Sequence, residues 1–240
     1  MAAYTITDAF AYVGGYDFSG DSNELACDIA HNVNTANVMG SHWQRNILGV
    51  SRVDWRMAGY WNVTDAQQDN TTWADLGVVD RVVTFGPGTT AEGDPAYMFK
   101  ALHTQYQFGG THGEVAPFSA SASGSNGHGV VRGKLLKGKG NVSATGATGT
   151  GLQLGAVASG EYLYATLHVF SPGTTITVVV ESDDNSNFTS ATTRGTIGPV
   201  TTQGATWMTR VAGPITDDWW RFRVTSITGT FNLAGAVGIQ

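Results

Sequence analysis

Residues 51–61, SRVDWRMAGYW, alternate apolar and polar side chains so regularly that only an extended strand would separate the two sets. Successive side chains of a strand point to opposite faces of a sheet. One face then carries Val53, Trp55, Met57, Gly59 and Trp61. The pattern predicts a strand that packs this face on a hydrophobic core and presents the other face outward.

The outward face of this predicted strand carries Arg52, Asp54 and Arg56. Either water or another copy of the same chain could cover these side chains. They are therefore candidate residues for a contact between subunits or for the wall of a channel.

The rest of the chain also reads as short strands joined by turns. Charged residues make up only 13% of the 240 residues, and Gly and Thr are abundant. Thr favours strands, and Gly favours tight turns. Residues 64–77, TDAQQDNTTWADLG, predict a helix that Thr64 or Asp65 could cap and Gly77 could end. The predicted fold class is therefore all-β with one short helix.

A small, polar, Gly-rich stretch at residues 137–151, KGKGNVSATGATGTG, is typical of a linker. It predicts two domains, residues 1–145 and 146–240. The first is expected to be a β-sandwich or barrel, and the second a β-sandwich or jelly roll, because short strands and turn clusters alternate there. If each domain has its own core, removal of residues 146–240 should leave a folded fragment.

No motif of the chain indicates catalysis, a metal or a cofactor. His103, His112 and His128 lack the spacing of a metal site. Asp183 and Asp184 lack the Gly and the terminal Glu of a calcium loop. Neither a Gly-x-Ser-x-Gly turn nor a phosphate-binding loop is present. We therefore expect no enzymatic activity and no cofactor.

Charge and hydropathy exclude further classes of function. The formal net charge is −6 and no basic patch is visible, which argues against tight binding of nucleic acid. Cys27 is the only cysteine, so no disulfide can form within the chain. No apolar run approaches the length of a membrane span, and the first residues lack the pattern of a signal peptide.

A second candidate surface lies in residues 217–224, DDWWRFRV. Alternation places Trp220, Phe222 and Val224 in a core, and Trp219, Arg221 and Arg223 on the opposite face. Trp219 beside two arginines could bind a protein partner or a glycan by stacking. The alternative, which we favour, is that Trp219 packs under a loop with Arg221 across its ring.

Two stretches resemble the tail tube proteins of long-tailed bacteriophages: GGYDFSGDSNEL, residues 14–25, and MGSHWQRNILGVSRVDWRMAGYW, residues 39–61. The matching positions are Gly15, Tyr16, Asp17, Ser19, Gly20, Gly40, Ser41, Leu48, Gly49, Gly59 and Trp61. The resemblance covers most of residues 1–145, and residues 155–222 resemble a domain appended in some members. The segment HWQRN, residues 42–46, departs from the family because it is more basic and more aromatic.

This resemblance implies a virion structural protein whose copies form rings, usually hexameric, that stack into a hollow tail tube through which DNA passes. It also implies assembly in the host cytoplasm and contacts with other virion proteins. A capsid decoration or head-fibre protein is the alternative, and a glycan-binding β-sandwich is a third possibility. A channel that conducts DNA should not retain it, so we expect carboxylates of a neighbouring strand or subunit to pair with Arg52 and Arg56.

Overall fold

The structure is a computed structural model that describes residues 8–40, 42–64, 68–125 and 127–240. Those residues form sixteen strands and one helix, and the predicted all-β class with one short helix is confirmed. In chain order the elements are β1 (Phe10–Val13), β2 (Tyr16–Asp17), β3 (Ser22–Thr35), β4 (Asn46–Tyr60), α1 (Gln68–Asp75), β5 (Arg81–Gly86), β6 (Pro95–Phe108), β7 (Pro117–Gly124), β8 (Val131–Val142), β9 (Gly146–Gln153), β10 (Tyr162–Ser171), β11 (Thr175–Asp183), β12 (Thr192–Val200), β13 (Gly204–Trp207), β14 (Val211–Ala212), β15 (Trp219–Thr228) and β16 (Phe231–Ile239).

The described chain divides into two compact units, and each is built from separate stretches of sequence. The first, called the sandwich unit below, comprises residues 8–20, 81–99 and 131–240. The second, called the arm unit, comprises the described residues of 21–80 and 100–130.

The sandwich unit packs two antiparallel sheets face to face. One sheet has the strand order β13-β10-β16-β8-β6-β5-β1-β2, with the first part of β6, and the other has the order β12-β11-β15-β9. Both sheets contribute to one hydrophobic cluster, for example Leu167 and Leu233 from the first and Val178 from the second. Trp220 and Phe222 are fully buried, as the alternation in residues 217–224 predicts.

The structure divides the chain differently from the predicted boundary near residue 145. The stretch 137–151 is not a linker, because its residues continue β8 and form most of β9. β8 pairs along its length with β16, the last strand, from Phe231↔Val142 to Gly238↔Gly133. The Gly-rich sequence was misleading because Gly also occurs where another backbone approaches closely. A Cβ at Gly133, for instance, would collide with the backbone of Val237.

The arm unit is a sheet with the strand order β3-β4-β7-β6, in which the second part of β6 forms one side. Along β4, Val53, Trp55 and Met57 are buried as the alternation predicts. Gly59 is buried as well, and a Cβ there would collide with the carbonyl of Asp21. Trp61 differs from the prediction because the strand ends before it, and 36% of its surface is exposed.

Helix α1 is shorter than the predicted residues 64–77, since it runs from Gln68 to Asp75. Asp65, one of the two predicted caps, lies outside the described residues, as does Ser41 of the family motif. Gly77 follows the helix with a φ of 80°, a conformation that Gly adopts without strain, so the predicted end lies within two residues of the observed one. The buried side of α1 is polar, and its members are Gln68, Thr71, Thr72 and Asp75.

The pairing of β8 with β16 predicts the outcome of a truncation. A chain that ends at residue 145 loses β16, and with it Ala234 and Ala236, which pack in one cluster with Met98, Val131 and Leu135. We expect this fragment to lack a cooperative thermal unfolding transition and a near-ultraviolet circular dichroism signal. Sharp unfolding of residues 1–145 would show instead that this stretch has an independent core.

Candidate functional site

The predicted site residues Arg52, Asp54 and Arg56 lie on the exposed face of the arm unit's sheet, and each arginine has a carboxylate beside it. Arg52 Nε is 3.3 Å from Asp54 Oδ2, and its Nη2 is 4.0 Å from Asp28 Oδ2. Arg56 Nη2 donates to Glu24 Oε1 on the neighbouring strand β3. The expected pairing with a neighbouring strand is confirmed for Arg56, whereas Arg52 lies nearest to Asp54 of its own strand, and all of these partners belong to the same chain. These side chains are between 49% and 69% exposed, so each pair contributes about 0–1 kcal/mol.

Small polar side chains complete this face. β7, with the sequence PFSASASG, buries Phe118, Ala120 and Ala122 and therefore turns its serines to the other side. The strand register forms three rows across β3, β4, β7 and β6: Asp28–Asp54–Ser123–Leu102, Ala26–Arg56–Ser121–Gln105 and Glu24–Ala58–Ser119–Gln107. Ser123 Oγ donates to Asp54 Oδ1 over 3.0 Å. These three rows together with Arg52 are called the polar face below.

The electrostatics of the polar face are almost balanced. It carries three carboxylates (Glu24, Asp28, Asp54) and two guanidinium groups (Arg52, Arg56), so its formal charge is 2 − 3 = −1. The remaining side chains are mostly Ser, Gln and Ala. Such a surface is wetted by water and offers no dense positive charge to a polyanion.

The two strands β3 and β4 extend beyond the buried part of the sheet. Residues 29–40 and 42–51, called the arm, comprise the distal halves of both strands and the described part of the connection between them. Large hydrophobic side chains are exposed along it: Ile29, Val33, Val38, Met39, Trp43, Ile47, Leu48 and Val50. A two-stranded ribbon is marginally stable in water by itself, so this arm fits a partner that covers it.

Exposed apolar surface is confined to the arm unit. Among the described residues, every large hydrophobic side chain that is exposed lies between Ile29 and Val115, and all of them belong to this unit. The sandwich unit, although larger, has none in its described part. The unequal distribution marks the arm unit as the part of the chain that fits contacts with other molecules.

The outer edge of β3 adds backbone groups to this surface. Within the described chain β3 pairs with β4 alone, although it is 14 residues long. An edge strand of this length presents a row of N–H and C=O groups that another strand can pair with. Sequence patterning could not show which strand is the edge, because pairing partners are set by the tertiary fold.

The second predicted surface, Trp219, Arg221 and Arg223, lies on β15 in the sandwich unit. Its two arginines both bind Glu181, a buried carboxylate on the neighbouring strand: Arg221 Nη2 at 2.7 Å and Arg223 Nη1 at 3.2 Å. The guanidinium of Arg221 also lies 4.2 Å from the ring centre of Phe188. Arg221 thus stacks on Phe188 and not, as we favoured from the sequence, across the ring of Trp219. Much of the binding capacity of the two arginines is used within the unit.

The histidines and acidic turns do not form a metal site in the described part of the chain. No group of three or more His, Cys, Asp or Glu side chains there could hold a metal ion. The carboxylate of Asp183 accepts hydrogen bonds from the backbone N–H groups of Asn185 and Ser190, so its loop is held by its own backbone. The single described helix is too short to cross a membrane.

His168 is fully buried in the sandwich unit, where its neighbours assign its tautomer. Its Nδ1 lies 2.7 Å from Gly14 O, which can only accept, so Nδ1 carries the proton. Its Nε2 then accepts from Thr84 Oγ1 over 2.8 Å, and Thr166 can donate to Thr84. Burial lowers the pKa of His168 from 6.5 to about 4. The neutral imidazole is therefore a structural link between Gly14 and Thr84.

Comparisons with known proteins give no family assignment. No protein-family model matches the chain, and no curated protein matches it. Several solved structures contain similar chains at low identity, and three of them follow. A chain from the virion of a native gene transfer agent particle is 14% identical, covers 52% of this chain and 95% of its own length, and has a TM-score of 0.41.

The other two structures align over almost the whole chain. The SPP1 Dit protein is 7% identical, covers 97% of this chain and 99% of its own length, and has a TM-score of 0.39. A chain of the phage p2 baseplate is 8% identical, covers 95% of this chain and 97% of its own length, and has a TM-score of 0.33. Because all three TM-scores are below 0.5, we draw no functional conclusion from them.

The buried His168 predicts how stability depends on pH. The unfolded chain takes up a proton at the imidazole near pH 6.5, whereas the folded chain does so only near pH 4. The contribution of His168 is therefore complete above about pH 6.5 and is lost as the pH falls towards 4, by about 3 kcal/mol. Urea unfolding of the wild type and of His168→Gln between pH 7 and 4 should show a clearly shallower dependence in the variant. Exposed His112→Gln is the control, and equal slopes in all three proteins would contradict the assignment.

Proposed function

We propose that this chain is a structural subunit of a phage tail, whose copies form rings that stack into a tube through which DNA passes. The observation that carries the proposal is the open sheet of the arm unit, which combines the near-neutral polar face with the unpaired edge of β3. The resemblance of residues 14–25 and 39–61 to tail tube proteins supports it independently. Six copies in a ring is the number that this resemblance implies.

A ring closes the open edge of β3. A strand from the neighbouring copy pairs with β3 and satisfies its outward N–H and C=O groups, and a closed ring leaves no edge exposed. The apolar side chains on the paired strands of the arm, residues 29–35 and 46–51, are covered in the same step, because these residues belong to β3 and β4 themselves. Backbone pairing sets the register between copies, and burial of side chains such as Ile29 and Val33 supplies hydrophobic stabilisation.

The polar face lines the channel in this proposal, and Arg52, Asp54 and Arg56 meet water and passing DNA. Internal pairing of the arginines prevents strong contacts with phosphate, since each guanidinium lies beside a carboxylate of its own chain. A formal charge of −1 per copy repels the polyanion weakly, so DNA passes without being retained. The role is mechanical, and it requires neither catalysis nor a cofactor.

Location and partners follow from this role. The subunit belongs to the virion tail, assembles in the host cytoplasm and contacts other virion proteins at the ends of the tube. The sandwich unit, which has no large exposed hydrophobic side chain in its described part, suits a solvated position in the assembly. A decoration or head-fibre protein would instead form a small oligomer that binds empty capsids, and a glycan-binding sandwich would bind sugar without forming rings.

Placing a charge on the apolar side of the arm tests the ring. Ile29 is 51% exposed, so Ile29→Lys should leave the fold of the single chain intact. In a ring the ammonium group would be buried without a partner, so we expect ring formation to need at least about tenfold more protein. Thr193→Lys is the control, an exposed position on β12, the edge strand of the second sheet of the sandwich unit. Sedimentation and electron microscopy measure the protein concentration at which rings form. An unchanged concentration for the Ile29→Lys variant would contradict the proposal.

Neutralising the carboxylates of the polar face tests the channel. The triple variant Glu24→Gln, Asp28→Asn, Asp54→Asn changes the formal charge of this face from −1 to +2 per copy. Assembled tubes should then retain double-stranded DNA at low salt and release it at high salt, whereas wild-type tubes should not retain it. The matched control removes three carboxylates elsewhere, by Asp8→Asn, Glu161→Gln and Asp184→Asn. Equal retention of DNA in both triple variants would show that the polar face does not line the channel.

A further inference from the structure

A compact aromatic cluster lies at the end of the arm unit's sheet where β4 ends. The rings of Trp61 and Phe108 are stacked, with centroids 5.6 Å apart and an interplanar angle of 7°. Tyr106 packs beside Phe108 at 5.3 Å and donates its hydroxyl to Asp69 Oδ1 over 2.5 Å. Trp61 Nε1 also donates to Asp69 Oδ1, over 3.0 Å. Trp61, Asp69, Tyr106 and Phe108 are called the aromatic rim below.

The aromatic rim is ordered and only partly covered. Burial and the bond to Asp69 raise the pKa of Tyr106 to about 12, so its hydroxyl remains a donor that holds the carboxylate in place. Phe108 is nevertheless 52% exposed, and Val115 in the adjoining loop is 70% exposed. Asp69 is partly buried, and Glu114 beside Val115 adds an exposed carboxylate at this end of the sheet. The rim therefore combines flat apolar rings with negative charge.

The described tip of the arm, residues 36–40 and 42–45, has the complementary chemistry. Ala36 N donates to Arg45 O over 2.8 Å, and Arg45 N donates to Asn37 Oδ1 over 3.3 Å, so these bonds close the turn. Trp43 is 86% exposed at this turn. Its charged and titratable neighbours are His42 and Arg45, and the sequence contains no carboxylate between Asp28 and Asp54. The tip is thus apolar and basic in a chain whose net charge is −6.

The length of β4 separates the tip from the rim of the same chain. The strand has 15 residues, with the arm tip before its first residue and Trp61 after its last. At the rise of an extended strand its ends are about 45 Å apart. An arm therefore cannot reach the rim of its own chain, and only another copy can bring the two surfaces together.

We propose that the arm tip of one copy docks on the aromatic rim of another copy, with Trp43 against the Trp61–Phe108 pair and Arg45 facing Asp69 and Glu114. This inference rests on the proposed function and assigns the contact between successive rings. The two surfaces differ and lie at opposite ends of the sheet, so the contact is head-to-tail and repeats without closing. Rings joined in this way extend along the strand direction into a tube.

The test compares assembly of the full-length wild type with that of two arm-tip variants, Trp43→Ala and Arg45→Glu. Both side chains lie on the exposed turn, so thermal unfolding of the single chain should not change. Aromatic and Arg anchors at interfaces commonly account for a tenfold or larger change in affinity. We therefore expect single rings in electron micrographs, with stacks about tenfold shorter than in the wild type. The control is Arg132→Glu, which reverses the charge at an exposed position of the sandwich unit. Rings of this variant should stack as those of the wild type do.

A charge exchange identifies the partner surface. Glu114→Arg alone should shorten the stacks, and Arg45→Glu combined with Glu114→Arg should restore them in part, because the opposite charges face each other again. Wild-type stack lengths in both tip variants would overturn the docking and leave ring formation untouched. Loss of the rings themselves in these variants would also overturn it, since the tip would then act within a ring. If the wild type formed no rings, the proposed function would fail together with this inference.

Discussion

Burial of one face of β4 is the constraint on which the arm unit depends. Val53, Trp55 and Met57 are enclosed, and a shift of one residue in register would bring Arg52, Asp54 and Arg56 into their place. The cost of burying those charges holds the register firmly. Once β4 is fixed, β3 on one side and β7 on the other follow, and the exposed face of the sheet becomes the polar face.

The same strand explains why the arm projects from the sheet. β4 is longer than the core that covers it, so its first half and the paired half of β3 continue beyond the buried region. The large side chains there are apolar although about half or more of the surface of each is exposed. A protein that functioned as a monomer would be expected to blunt such an edge with charges or to shorten it. A subunit that completes its sheet only in an assembly would keep such an edge long and apolar.

The sandwich unit depends instead on pairing between strands that are far apart in the sequence. β1 pairs with β5, and β8 pairs with β16, so strands from both ends of the chain contribute to its sheets. His168 and Thr84 form a buried polar link inside it, with each polar atom matched to a partner. The two arginines on β15, Arg221 and Arg223, likewise form ion pairs with Glu181 of the same unit. The described part of the sandwich unit keeps its large hydrophobic side chains covered, whereas the arm unit has an edge strand without a second partner in the described chain and an exposed apolar surface.

The all-β class, the inward face of β4 and the buried face of β15 could be predicted from the sequence alone. These features depend on the alternation of apolar and polar side chains along a strand, which can be read from neighbouring residues. The structure was needed to show that residues 137–142 and 146–151 lie in strands and that β3 is an edge strand in the described chain. It was also needed to place Trp61 beside Phe108 and Asp69, and Arg56 beside Glu24 of β3. Those features depend on which distant strands pair, and strand pairing is set by the packing of the whole chain rather than by any local pattern.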